Sequence, residues 1–106
     1  MARALITMPK SAKRGEIVEI RTLIAHPMET GYRAGDDGQI VPRNLIRRFS
    51  CVYDGETVFS AELFAAVAAN PLISFSTVAT VSDTLTFTWE GDNGFAQTER
   101  VSISVT

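Results

Sequence analysis

The stretch "TLTFTWEGDNGFAQTERVSISVT", residues 84–106, decides the fold class. Leu85, Phe87 and Trp89 alternate with Thr84, Thr86 and Thr88, and Val101, Ile103 and Val105 alternate with Ser102, Ser104 and Thr106. A period of two sends one set of side chains to a core and the other to water, which describes antiparallel strands with one dry and one wet face. Between the two arms, "GDNG" contains Asn93-Gly94, a pair that tolerates the positive φ of a tight turn. The chain therefore closes on a β-hairpin.

Working outward, "FSCVYDGETVFSAEL" (49–63) repeats the pattern around Asp54-Gly55. Phe49, Cys51 and Tyr53 fall on one face of its first arm, and Thr57, Phe59, Ala61 and Leu63 on one face of its second. "GEIVEIRTLIA" (15–25) reads as a strand with Val18, Ile20 and Ile24 on one side and Glu19 and Arg21 on the other. "ARALITMP" (2–9) and "LISFSTVATVS" (72–82) bring the count to about seven strands. "FAAVAAN" (64–70) is too short for a stable helix and runs into Pro71, so at most one helical turn is expected there. Seven short strands without a substantial helix predict an all-β, immunoglobulin-like antiparallel β-sandwich, with an open barrel as the alternative.

Size and composition bound the rest. At 106 residues the chain matches one domain, and 45% hydrophobic with 21% charged residues is an ordinary globular balance. A net charge of −2 supplies no positive field, which argues against a nucleic-acid partner. No run approaches 18 apolar residues, so no transmembrane helix is expected, and the N-terminal residues lack the apolar core of a signal peptide.

One histidine and one cysteine on different elements are too few for a zinc site, and no metal or cofactor is expected. Cys51, between Phe49 and Tyr53, reads as a small core residue rather than an activated nucleophile. Asp36-Asp37 lies in a glycine-flanked turn with nothing apolar nearby to raise a carboxyl pKa. Arg43, Arg47 and Arg48 form a basic cluster able to receive an anion, although a solvated strand edge is the better account of it. Ile17, Leu23, Val52, Val58 and Val78 fall on faces opposite the assigned core, the pattern of a protein-binding patch unless a loop covers them.

The remaining irregular stretch, "AHPMETGYRAGDDGQIVPRN" (25–44), makes the chain specific. Its "HPMETGYR" and "DGQIVPRNLI", followed by "ANPLISF" and "WEGDNG", resemble the SoxZ proteins, subunits of the SoxYZ carrier of bacterial sulfur oxidation, over about residues 15–105. The resemblance implies a non-catalytic subunit that forms a heterodimer with a SoxY-type subunit, whose C-terminal glycine-flanked cysteine carries the sulfur. This chain ends "VSISVT" and has no such cysteine. The resemblance also implies a periplasmic location reached by co-export with a signal-bearing partner, and transient contacts with other sulfur-oxidation enzymes. On this reading 25–44 is a structured recognition loop, and the partner-binding residues are expected to be His26, Met28, Glu29, Tyr32, Arg43, Asn44, Asn70 and Pro71. The rival is a stand-alone sandwich that binds or transforms a sulfur compound through Cys51 or His26.

Overall fold

The computed structural model describes residues 2–106. Eight strands appear in chain order: β1 (Ala4–Thr7), β2 (Ser11–Ala12), β3 (Ile17–Ile24), β4 (Ile46–Tyr53), β5 (Glu56–Glu62), β6 (Leu72–Val78), β7 (Asp83–Gly91) and β8 (Ala96–Val105). They form a three-stranded sheet in the order β1-β3-β6 and a five-stranded sheet in the order β2-β8-β7-β4-β5. The two sheets make an immunoglobulin-like β-sandwich. The strand beyond the expected seven is β2, whose two residues pair parallel to the end of β8, the one parallel ladder among antiparallel ones.

The core lies where the period-two reading puts it. Val18, Ile20 and Ile24 face Phe49, Cys51, Leu85, Phe87 and Trp89 across the sandwich, all at most 2% exposed. Phe49 is the centre of an aromatic cluster, with ring centroids 5.2 Å from Trp89, 6.1 Å from Phe59 and 6.1 Å from Phe75. Such offset and edge contacts suit aromatic quadrupoles and add to the burial itself. Tyr53 closes the far end: its hydroxyl accepts the N–H groups of Thr80 and Val81 at 3.1 and 3.0 Å and donates to the Val81 carbonyl. That pins the β6–β7 connection to β4.

Parity fails at the β4–β5 hairpin. The β4–β5 ladder slips between Cys51 and Val52, so Cys51 opposes Phe59 while Val52 opposes Thr57. Val58 is the extra residue of this bulge. Thr57 consequently turns to solvent instead of sharing a face with Phe59, and Val58, expected outside, packs half-buried against the core. Ile17, Leu23, Val52 and Val78 do stand outside, as the alternation requires. Residues 64–70 form turns, closed by Val67 N–H donating to the Phe64 carbonyl at 3.0 Å, and contain no helix.

Candidate functional site

The loop between β3 and β4 is ordered by its own hydrogen bonds. His26 sits where β3 ends, and its backbone N–H donates to the Asn70 side-chain oxygen at 2.9 Å while its carbonyl accepts the Asn70 N–H at 2.8 Å. Asn70 holds a left-handed φ of 54°, which asparagine tolerates better than most residues, and Pro71 follows it into β6. The His26 Nδ1 accepts the Met28 N–H at 3.0 Å, and the Met28 sulfur accepts the Ile46 N–H at 3.3 Å. Glu29 and Asn44 then exchange both backbone hydrogen bonds at 2.8 Å, and Ala34 pairs with Ile40 farther out. The segment 29–44 is thus a short hairpin arm, and Arg33 braces it by a two-point ion pair to Glu29.

Asp92, in the β7–β8 turn, fastens the returning arm. Its carboxylate accepts the Leu45 N–H at 3.0 Å and contacts both Arg43, at 3.0 Å, and Arg47, at 4.0 Å. The Leu45 hydrogen bond and the two guanidinium groups hold the Asp92 carboxyl below the ordinary aspartate range. Arg33 does the same for Glu29. Burial lowers the pKa of His26, against a smaller opposing pull from Asp92, so its imidazole is neutral at pH 7.

These contacts sort the residues expected to meet a partner. His26 and Met28 are 5% and 4% exposed, and Pro71 is buried with them. His26 also packs edge-on against Phe95 at 5.0 Å. These three hold the loop from inside and offer no surface in this conformation, which corrects the expectation that His26 and Met28 present contacts. Glu29, Tyr32, Arg43, Asn44 and Asn70 keep accessible surface, with Tyr32 84% exposed. Arg43 is committed to Asp92, so it is a braced charge rather than a free anion receptor.

Beside the arm lies an open groove of about 660 Å³, floored by Leu45 and Leu63 and flanked by Tyr32, Phe64, Arg47 and Arg48. Of the sequence-read residues it contains only Tyr32 and Arg43 from the partner set, together with the basic pair Arg47 and Arg48. Arg48 lies in register between Glu62 on β5 and Glu90 on β7, so an acidic residue is its cross-strand neighbour on each side. Phe64, 65% exposed, was overlooked in the sequence. It opens the stretch expected to form at most one helical turn, and no local pattern marks an aromatic residue that a turn leaves outside.

Cys51 is fully buried at the sheet interface, and desolvation pushes its thiol up to about 12. Among the described residues, no three His, Cys, Asp or Glu side chains gather as metal ligands.

Comparison with known proteins places this geometry. No curated protein matches the chain in sequence. In structure it is similar to a superoxide reductase (neelaredoxin) from Ignicoccus hospitalis, with a TM-score of 0.75 and 16% identity over 99% of this chain and 82% of that one. It is also similar to the sulfur carrier protein SoxY from Chlorobium limicola f thiosulfatophilum, with a TM-score of 0.66 and 15% identity over 97% and 78%. At these identities the likeness shows the fold alone. The family described as "Sulphur oxidation protein SoxZ" matches residues 6–102. The chain belongs to the SoxZ family and so to the Sox system of sulfur oxidation.

Proposed function

We propose that this chain is the non-catalytic subunit of a SoxYZ-type carrier. It pairs with a SoxY-type subunit that bears the sulfur on a cysteine, and presents a fixed surface to the enzymes that act on that sulfur. The observation that carries this reading is the placement of its two candidate reactive groups. Cys51 is sealed between the sheets with its thiol protonated at every physiological pH, and His26 uses Nδ1 to hold the backbone of Met28. Neither is placed as a nucleophile or base, which favours a scaffold over a stand-alone catalyst. The partner surface on this reading is the braced arm and the groove, where Tyr32 and Phe64 stand out of a polar, charged rim, the composition of a binding hot spot. Co-export of the folded pair into the periplasm accompanies the proposal.

The test is reconstitution with a SoxY-type subunit. Tyr32→Ala and Phe64→Ala should each weaken binding about tenfold or more, as truncation of an aromatic anchor does, while thermal unfolding stays unchanged because both side chains are solvent-exposed. Cys51→Ala should leave carrier turnover intact. A well-folded Cys51→Ala protein that abolishes turnover, or a chain that fails to bind any SoxY-type subunit, overturns the proposal.

A further inference from the structure

The outer face of the three-stranded sheet carries a pattern that the carrier role does not use. Along β3 the outward residues are Ile17, Glu19, Arg21 and Leu23, in the order apolar, acid, base, apolar. Their neighbours on β6 are Val78, Ser76, Ser74 and Leu72, in the order apolar, serine, serine, apolar. All eight side chains point to solvent, with Ile17 72%, Leu72 67% and Val78 47% exposed. The β6 row is a palindrome in chemistry about the Ile20–Phe75 pair, and the β3 row reverses onto itself with acid and base exchanged, so each charge meets its opposite.

We infer that this face is a self-complementary surface on which a second copy of the chain docks about a two-fold axis crossing β3 at Ile20. Such an axis, lying in the interface plane across the strands, reverses the partner's strand direction. It sets Leu23 of one copy over Ile17 of the other, Leu72 over Val78, and Arg21 over Glu19, each contact occurring twice as an isologous interface requires. Within one copy, Glu19 and Arg21 already pair at 3.1 Å, with both side chains 64% exposed. In the dimer, four charges alternate in a square at the centre and lose their water to each other.

Sheet twist is compatible with this arrangement. Packed sheets cross at about 30°, which displaces a residue ~10 Å from the axis by about 5 Å, one strand spacing. Leu5 on β1 extends the apolar end to a row of three, Leu5–Leu23–Leu72, so a leucine covers Ile17 whichever way the sheets rotate. With eight side chains on β3 and β6 and Leu5 beside them, the face is smaller than the ~800 Å² per partner of a standard interface, so the dimer is weak, with a dissociation constant on the order of 0.1–1 mM.

The two-fold register makes the test specific. Sedimentation of the full chain up to millimolar concentration should show reversible dimerisation. Glu19→Arg leaves two arginines facing two arginines, and Arg21→Glu leaves four glutamates together, so each variant alone should lose at least about tenfold in dimer affinity. Mixed in equal amounts, the two variants place opposite charges in register again, and heterodimers should form with near wild-type affinity. Both substitutions are on an exposed face, and unchanged thermal unfolding checks that the variants are folded. A wild-type chain monomeric throughout, dimers unaffected by either substitution, or a mixture that fails to associate overturns the inference. So does a wild-type monomer whose affinity for a SoxY-type subunit falls with Glu19→Arg, since the face then belongs to that partner.

Discussion

The imidazole Nδ1 of His26 accepts the backbone N–H of Met28 at 3.0 Å, which fixes the tautomer with the proton on Nε2 and holds Met28 at a left-handed φ of 50°. A doubly protonated ring has no lone pair to offer there. Because burial lowers the folded-state pKa of His26 below 6.5, the unfolded chain binds the proton more readily than the folded one. The contribution to stability is then complete above the unfolded pKa and declines as pH falls below about 6.5 toward the folded value. Glu29 and Asp92, with lowered pKa values, lose their contributions only at lower pH, as it falls through the acid range toward their folded pKa values. Thermal midpoints measured from pH 7.5 to 5 should therefore fall in wild type and stay flatter in His26→Asn, whose side-chain oxygen still accepts from the backbone two residues on. Equal slopes in the two proteins would show that His26 is not the titrating group.

Trp89 is wholly buried against Phe49, and its Nε1–H has no hydrogen-bond partner among the described residues. Trp89→Ala should cost about 3–5 kcal/mol from lost burial and the cavity left behind. Trp89→Phe should cost less than about 1 kcal/mol, because the smaller ring also removes a desolvated donor whose penalty is on the order of 1–3 kcal/mol. Denaturant unfolding at constant m-value separates the two. If Trp89→Phe proves as damaging as Trp89→Ala, the indole N–H is satisfied by a buried water.

Those strands were legible because alternation is a local signal: Leu85, Phe87 and Trp89 face inward as their spacing demands, and so do Val18, Ile20 and Ile24. What escaped was decided by non-local geometry. The bulge that turns Val58 inward is a slip between two strands, which neither strand's own pattern records. The loop was recognisable as one structured unit, yet the split between its members was not. Whether His26 and Met28 point out or in depends on Asn70, 44 residues from His26, and on the backbone of Ile46. Asp92, which anchors the arm, read from the sequence only as a turn residue, because its partners Arg43 and Leu45 are nearly 50 positions away.

Cys51 should be unreactive in the native state, since its thiol is buried and its pKa is pushed up to about 12. A thiol reagent at pH 8 should label it only as fast as the molecule opens, at a rate that rises steeply with denaturant. Cys51→Ala should cost on the order of 1 kcal/mol through lost packing. Rapid stoichiometric labelling without denaturant would mean that the sandwich opens at this point, and would revive the thiol as a functional group.

Gly91 lets the end of β7 lie close against the start of β4. A Cβ at this position would meet the Leu45 carbonyl oxygen at 2.3 Å and the Ile46 Cα at 2.9 Å, both backbone atoms that cannot swing aside. Ile46 pairs with Gly91 just before the register slips to Arg48 opposite Glu90, so the glycine lets the two backbones touch at a bulge. The same carbonyl of Leu45 accepts the Asp92 N–H at 2.8 Å, and Asp92 in turn holds Leu45 N–H and Arg43. Gly91→Ala must push β4 off β7 and loosen that anchor together. It should cost about 3 kcal/mol or more, and hydrogen exchange should speed up at Leu45, Asp92 and the Glu29–Asn44 bridge. Gly38→Ala is the control. Gly38 has a positive φ, 78°, whereas Gly91 is extended at φ −158°, and nothing lies within 4 Å of a Cβ added at Gly38, so only the conformational penalty of about 1–2 kcal/mol applies there, confined to the tip of the arm. Equal costs for the two substitutions would mean that the β4–β7 contact gives way to an added Cβ for no more than the φ penalty at Gly38. A larger loss at Gly91 with deprotection spreading along the arm would identify the Leu45–Asp92 junction as the point through which the sandwich holds its recognition loop in place.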